Sequence, residues 1–181
     1  MEFDKYKQRG AYHWVEYEQK SAYGKHVDFL LSLICEGRIL DIGAGDGLIT
    51  HLINGEGIDD NKIAVNLANE KGVNVKLGDA YNLVNYEVNS FDNVLMGDVI
   101  EHLEFPDIAI KEVKRVLKPN GKFYIVTPPA KKDGLWDKYH YREYTPTELI
   151  NYMKIHQFEL ICDIKIKNEF VRMYGIFNNL K

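Results

Sequence analysis

The chain has 181 residues, of which 45% are hydrophobic and 28% charged, and a formal net charge of −4. That length builds one core of useful size rather than two, and the composition is that of a water-soluble globular protein. No run of basic residues points to nucleic acid, no apolar stretch approaches a membrane span, and the polar start MEFDKYKQRG does not read as a secretory signal. The two cysteines, Cys35 and Cys162, have neither disulfide nor zinc spacing and are expected as buried thiols in a reducing compartment. The expectation is a cytoplasmic protein, monomer or homodimer, with neither nucleic acid nor membrane as its partner.

Residues 1–36 read as helical and separate from any sheet, forming an N-terminal lid over an α/β core at 37–181. Tyr12, His13, Trp14 and Tyr17 crowd the first part, and Tyr12-His13-Trp14 is expected mainly to pack. Val27, Leu30, Leu31 and Ile34 space as one apolar helix face. From Gly37 strands and helices alternate. Strands are expected at Arg38–Ile42, Gly57–Asp59, Val73–Leu77, Phe91–Met96 and Lys122–Thr127. Helices are expected at Leu48–Ile53, Asn61–Glu70 and Ile108–Leu117, the last stopped by the turn Pro119-Asn120-Gly121. Thr145-Pro146-Thr147-Glu148 has the capping-box spacing that opens a helix. Phe158–Ile166 and Val171–Phe177 read as a closing hairpin. The pattern implies an α/β fold: a mainly parallel seven-stranded sheet ending in an antiparallel hairpin, with helices on both faces.

The run Ile39-Leu40-Asp41-Ile42-Gly43-Ala44-Gly45-Asp46-Gly47 passes from a buried strand through three glycines into a helix. Glycines there permit positive φ and close approach of a ligand. A dinucleotide loop would place its last glycine one residue later, and a phosphate loop needs a following Gly-Lys-Ser/Thr. Asp46 adds negative charge where a pyrophosphate would sit. A neutral or positively charged ligand suits the loop, and a nicotinamide-dependent oxidoreductase does not.

Five segments in order, LDIGAGDG, GIDDN, KLGDAYNL, FDNVLMGDVIEHL and RVLKPNGKFYIVTPP, resemble the class I S-adenosylmethionine-dependent methyltransferases, in the small-molecule, type 11-like branch. The likeness covers about 37–181 and implies a Rossmann-like sheet with S-adenosylmethionine as cofactor. It implies that Asp41, Gly43, Ala44 and Gly45 line the cofactor and that Asp59 takes the ribose hydroxyls, with Asp60 near the adenine. Asp79 and the Ala80 amide would meet the adenine, and Gly97 and Asp98 the methionine end. Asp41, Asp59, Asp79 and Asp98 all fall at strand ends, where open α/β sheets bind ligands.

Methyl transfer to an oxygen or nitrogen needs alignment, exclusion of water and removal of a proton. His102 has the intrinsic pKa of a base, with Glu101 and His140 as its companions; Glu101-His102 bracing the crevice is the structural alternative. If the segment turns helical, Asp98, Glu101 and His102 share a face that His140 could complete as a magnesium or manganese site. That set resembles the metal-dependent small-RNA 2′-O-methyltransferases and the ubiquinone-pathway O-methyltransferases, which carry Glu where this chain has Asp98. The loop Trp136–Tyr144 is expected to face the acceptor, or to be pinned by Arg142 and Tyr144 against Glu101-His102. A small-molecule acceptor is the expected partner, and a non-catalytic cofactor-binding subunit is the alternative.

Overall fold

The computed structural model describes residues 4–131, 137–161, 163–167 and 172–181. Its centre is β1 (Ile39–Ile42), four residues with no exposed position. It pairs in parallel with β2 (Glu56–Asp59) on one side and β4 (Phe91–Gly97) on the other. β3 (Val75–Leu77) extends the sheet beyond β2, and β5 (Leu117–Thr127) beyond β4, both in parallel. β8 (Arg172–Asn179) then runs antiparallel to β5, and the short β6 (Phe158–Leu160) and β7 (Lys165–Lys167) both pair antiparallel with β8. The order is β3-β2-β1-β4-β5-β8-β6, with β7 also on β8. Because β5 occupies one side of β8, β6 and β7 are successive pieces of a single edge.

Two adjustments to the sequence reading concern where pairing breaks. The expected strand Phe158–Ile166 is interrupted between β6 and β7, where the register against β8 slips by two residues. Cys162 and Val171 lie outside the described residues. Pro119-Asn120-Gly121 does not separate helix from strand; it is an irregularity inside β5, with Asn120 at φ +59° and a register shift against β4. Proline has no N–H to give to a neighbouring strand, so it is accommodated at such a break.

Helices cover both faces. α6 (Pro106–Val116) and α7 (Pro146–Ile155) bury Ile110, Val113, Leu149 and Met153 against Leu40, Val94, Phe123 and Ile125. α6 starts two residues before its expected first residue because Pro106 serves as its first-turn proline. The α7 capping box is present as expected, Thr145 accepting from the Glu148 N–H and Glu148 accepting from the Thr145 N–H. α3 (Ala22–Leu31) packs Leu30 on the opposite face, against Ile39, Leu95, Tyr124 and Val126. Neighbouring strand residues thus point to opposite cores. The expected lid of 1–36 is therefore divided: α1 (Asp4–Arg9) and α2 (Tyr12–Glu18) border the crevice, whereas α3 belongs to the sheet packing and reaches the crevice through Tyr23 and His26.

α4 (Leu48–Leu52) and α5 (Lys62–Glu70) complete the set. Gly47, at φ +80°, begins α4; a Cβ there would come within 2.8 Å of the Ala68 Cβ, so this glycine lets the turn sit on α5. Cys35, expected as a buried thiol, is exposed and takes a hydrogen bond from Lys122 Nζ at 2.7 Å. Among the described residues no helix is long and apolar enough to cross a membrane.

Candidate active site

The strand order reverses between β1 and β4, and a cavity of about 650 Å³ opens at the carboxyl ends of those strands. Its lining brings together every expected cofactor residue, Asp41, Gly43, Ala44, Gly45, Asp59, Asp60, Asp79, Ala80, Gly97 and Asp98, with Glu101, His102 and His140.

On the β1–β2–β3 side the acids are set by the backbone. Asp59 accepts from the Gly45 N–H at 2.7 Å and the Asn61 N–H at 2.9 Å, which locks the glycine turn to the end of β2. Burial raises its pKa, and the two backbone bonds oppose that shift. Asp60 beside it is exposed. Asp79 accepts from the Tyr81 N–H at 2.8 Å and holds the turn after β3. Asp41 is fully enclosed, accepts from Thr50 Oγ1 at 2.7 Å, and has its pKa pushed up to about 7 by burial.

At the end of β4 the chain changes direction sharply. A Cβ on Gly97 would meet nothing within 4 Å, so this glycine opens onto free space in the cavity. Asp98 follows at φ +54°, a left-handed conformation that costs energy in a residue with a side chain. Its carboxylate is held by Arg172 Nε at 2.6 Å, from the first residue of β8. A short 3₁₀ turn, Ile100–His102, comes next. Glu101 is 1% exposed, accepts from Thr127 Oγ1 at 2.8 Å, and is pushed up to about 8 by burial and by the Asp98 charge. It is therefore protonated near neutral pH. Its backbone carbonyl accepts the Tyr141 N–H at 2.8 Å, which fastens the 137–145 segment to the turn.

That segment carries His140 to His102, with ring centroids 4.8 Å apart. His102 Nδ1 lies 3.2 Å from the Tyr139 carbonyl and His140 Nδ1 2.5 Å from Glu143 Oε1. Both partners only accept, so the two Nδ1 atoms carry protons and the tautomers follow. Burial lowers the His102 pKa, which keeps that ring neutral. The expected pinning by Arg142 and Tyr144 takes a different form: Tyr144 is buried, Arg142 lies over its ring at 4.8 Å, and the backbone makes the attachment. Trp136 lies outside the described residues.

Glu101, His102 and His140 offer ligand atoms within 4.8 Å of one another. Asp98 is not among them, because Arg172 holds it. The four-residue metal set expected from helical spacing is therefore corrected to three.

Several lining residues escaped the sequence reading: Tyr6 and Tyr12 from the lid, Tyr23 and His26 from α3, Arg172 from β8, and His13. Burial raises the Tyr6, Tyr12 and Tyr23 phenols, so they stay protonated. His26 faces the Tyr174 hydroxyl at 2.6 Å and is pushed down to about 4 by burial. The signal was visible as aromatic crowding at Tyr12-His13-Trp14, but spacing alone could not say which ring turned inward. Asp46 has a further function: it binds the lid, accepting from the His13 N–H at 3.0 Å, with Trp14 Nε1 donating to its carbonyl at 2.9 Å.

Residues 40–125 match a family model described as a methyltransferase domain, of type 11. An uncharacterized protein of Methanocaldococcus jannaschii is 33% identical over 124 residues, 68% of this chain and 59% of that protein. The ubiquinone biosynthesis O-methyltransferase of Pelagibacter ubique is 31% identical over 99 residues, 50% of this chain and 41% of that protein. The chain thus matches about half the length of these curated relatives. A solved SAM-dependent methyltransferase of Thermotoga maritima superposes with a TM-score of 0.72, covering 84% of this chain and 87% of that one. At 22% identity that likeness speaks to the fold.

Proposed function

We propose that the chain, whose residues 40–125 match a methyltransferase-domain family model, is an S-adenosylmethionine-dependent methyltransferase acting on an oxygen or nitrogen of a small molecule. The observation that carries this reading is the row of acids at successive strand ends in one cavity: Asp41, Asp59, Asp79 and Asp98. Such a row repels phosphates and suits a nucleoside with a cationic tail. The glycine-turn amides of Gly43 and Ala44 both donate to the Ile58 carbonyl, so they form no phosphate cradle either. When bound, the cofactor supplies an electrophilic methyl group on a sulfonium.

In this reading Asp59 receives the ribose hydroxyls, and Asp60, Asp79 and Ala80 border the adenine. Gly97 leaves room for the methionine portion, with Asp41 and Asp98 balancing its positive charge. His102 is the base: it lines the cavity, and burial lowers its pKa so that the ring is neutral and able to take the acceptor's proton. Protonated Glu101 braces the turn without adding a second negative charge beside Asp98. His140 is held by Glu143 and closes the wall next to His102. The lid excludes water. The small acceptor is supported by the modest cavity and by the relative named for ubiquinone biosynthesis.

Titration calorimetry with S-adenosylhomocysteine tests the reading. Micromolar binding that is lost on Asp59→Ala supports it, and no binding to the wild-type chain ends it.

A second reading makes Glu101, His102 and His140 a divalent-metal site that activates the acceptor oxygen. Its support is that both imidazoles already give Nδ1 to an acceptor, as metal-bound histidines do. Turnover that survives EDTA and ignores added magnesium or manganese removes this reading.

A further inference from the structure

The glycine loop uses its own amides internally. Gly43 and Ala44 donate to the Ile58 carbonyl at 2.9 Å, Gly45 to Asp59 at 2.7 Å, and Gly47 to the Ala44 carbonyl at 3.0 Å. Around these amides stand Asp41, Asp46, Asp59 and Asp98. The cavity floor is therefore acidic and short of donors, which favours a cation and opposes a carboxylate. A methyl donor ending in an α-amino acid brings such a carboxylate. It must find its partner in a side chain rather than in the loop amides.

The basic groups of the cavity wall differ in what already holds them. Arg9 is paired with Glu16 at 2.7 Å and lies over the Tyr12 ring. Arg172 is paired with Asp98. His26 is neutral and faces Tyr174. Lys5 stands toward Asp137, whose charge it stabilises. His13 is the group at the glycine loop itself, its Cε1 3.9 Å from where a Cβ on Gly45 would stand. Its Nδ1 meets Asp46 Oδ1 at 3.2 Å, and Asp46 is 1% exposed. A carboxylate only accepts, so Nδ1 is protonated and Nε2 is the ring position left for a ligand. A ligand carboxylate at Nε2 would give the ring a second charged acceptor beside Asp46.

We propose that His13, clasped by Asp46, anchors the carboxylate of the methyl donor. This rests on the methyl-donor reading and goes beyond it, since it assigns a ligand contact to a residue of α2. It also gives Asp46 a use that a strand-end acid lacks.

The test compares affinities of the full chain for S-adenosylmethionine and for its decarboxylated analogue, which lacks only the carboxylate. A charge-assisted hydrogen bond predicts a wild-type preference for the complete cofactor of about tenfold or more. His13→Gln should remove most of that preference by weakening the complete cofactor alone. Asp46→Asn, which keeps the hydrogen-bonding shape but removes the counter-charge, should lower it in the same direction. Trp14→Phe removes the indole bond to the Asp46 carbonyl, leaves the imidazole, and should keep the preference. Equal weakening of both compounds by His13→Gln would mark a packing role and overturn the proposal, as would a wild type that binds both equally. If neither compound binds the wild-type chain, the methyl-donor reading fails and the anchor falls with it.

Discussion

The two halves of the cavity are built differently. On the β1–β2–β3 side, these carboxylates take partners no more than fourteen residues away: Asp59 with Asn61 and Gly45, Asp79 with Tyr81, Asp41 with Thr50. Mostly backbone atoms receive the carboxylates. On the β4–β5–β8 side the partners come from distant segments: Asp98 with Arg172, Glu101 with Thr127, His102 with the Tyr139 carbonyl. The first half is a property of the strand ends themselves. The second depends on a loop and a closing strand, and such parts of a fold vary most freely between proteins of different specificity. A donor side set by the strand ends and an acceptor side open to change are the expected consequence.

Substitutions should separate the halves. The largest effect is expected at His102: His102→Gln should lower kcat by about 10²- to 10⁴-fold, while calorimetry finds S-adenosylhomocysteine binding unchanged. A matching loss of binding would mean that the halves are not independent. Asp59→Ala should do the opposite and weaken S-adenosylhomocysteine by about 100-fold or more, since it removes charge-assisted bonds to the ligand and leaves the Gly45 amide without its acceptor.

A pH effect should follow from Glu101. Its carboxyl is raised from 4.5 to about 8, so the folded protein holds a proton that the unfolded chain releases at neutral pH. The stability this contributes is complete below about pH 4.5 and is lost as the pH rises through about 8. Asp41 acts with the same sign over a lower window, ending near 7. Glu101→Gln should therefore raise Tm at pH 8 relative to wild type while leaving it nearly unchanged at pH 4.5, by about 2–4 °C for each kcal/mol recovered. An unchanged difference between the two pH values would show that this carboxyl is not the group responsible. The smallest effect is expected outside the cavity. Thr145→Ala removes the α7 capping box and should cost about 1 kcal/mol, read as a small fall in Tm with donor affinity unaltered.

Legibility in the sequence follows the same division. Asp59 and Asp79 could be placed because each ends an apolar run and begins a turn, and a strand end is a local event. The Thr145–Glu148 box was legible for the same reason. Asp98 was placed correctly at the end of β4, but its partner was not, because nothing near Asp98 announces Arg172. Helical spacing suggested a shared face for Asp98, Glu101 and His102; the left-handed residue at Asp98 breaks that geometry before the 3₁₀ turn begins. The reading of Tyr12-His13-Trp14 as packing held in part: Trp14 packs against the α5 cluster, whereas His13 lines the cavity.

The glycine turn, the alternation of strand and helix and the acids at strand ends were determined by the sequence itself, because short-range sterics and hydrophobic period fix them whatever the rest of the chain does. The clasp between His13 and Asp46, the pairing of Asp98 with Arg172 and the meeting of His102 with His140 were decided only by the tertiary structure. Each joins segments that packing brings together, and the desolvation that neutralises Glu101 and His102 exists only once that packing has formed.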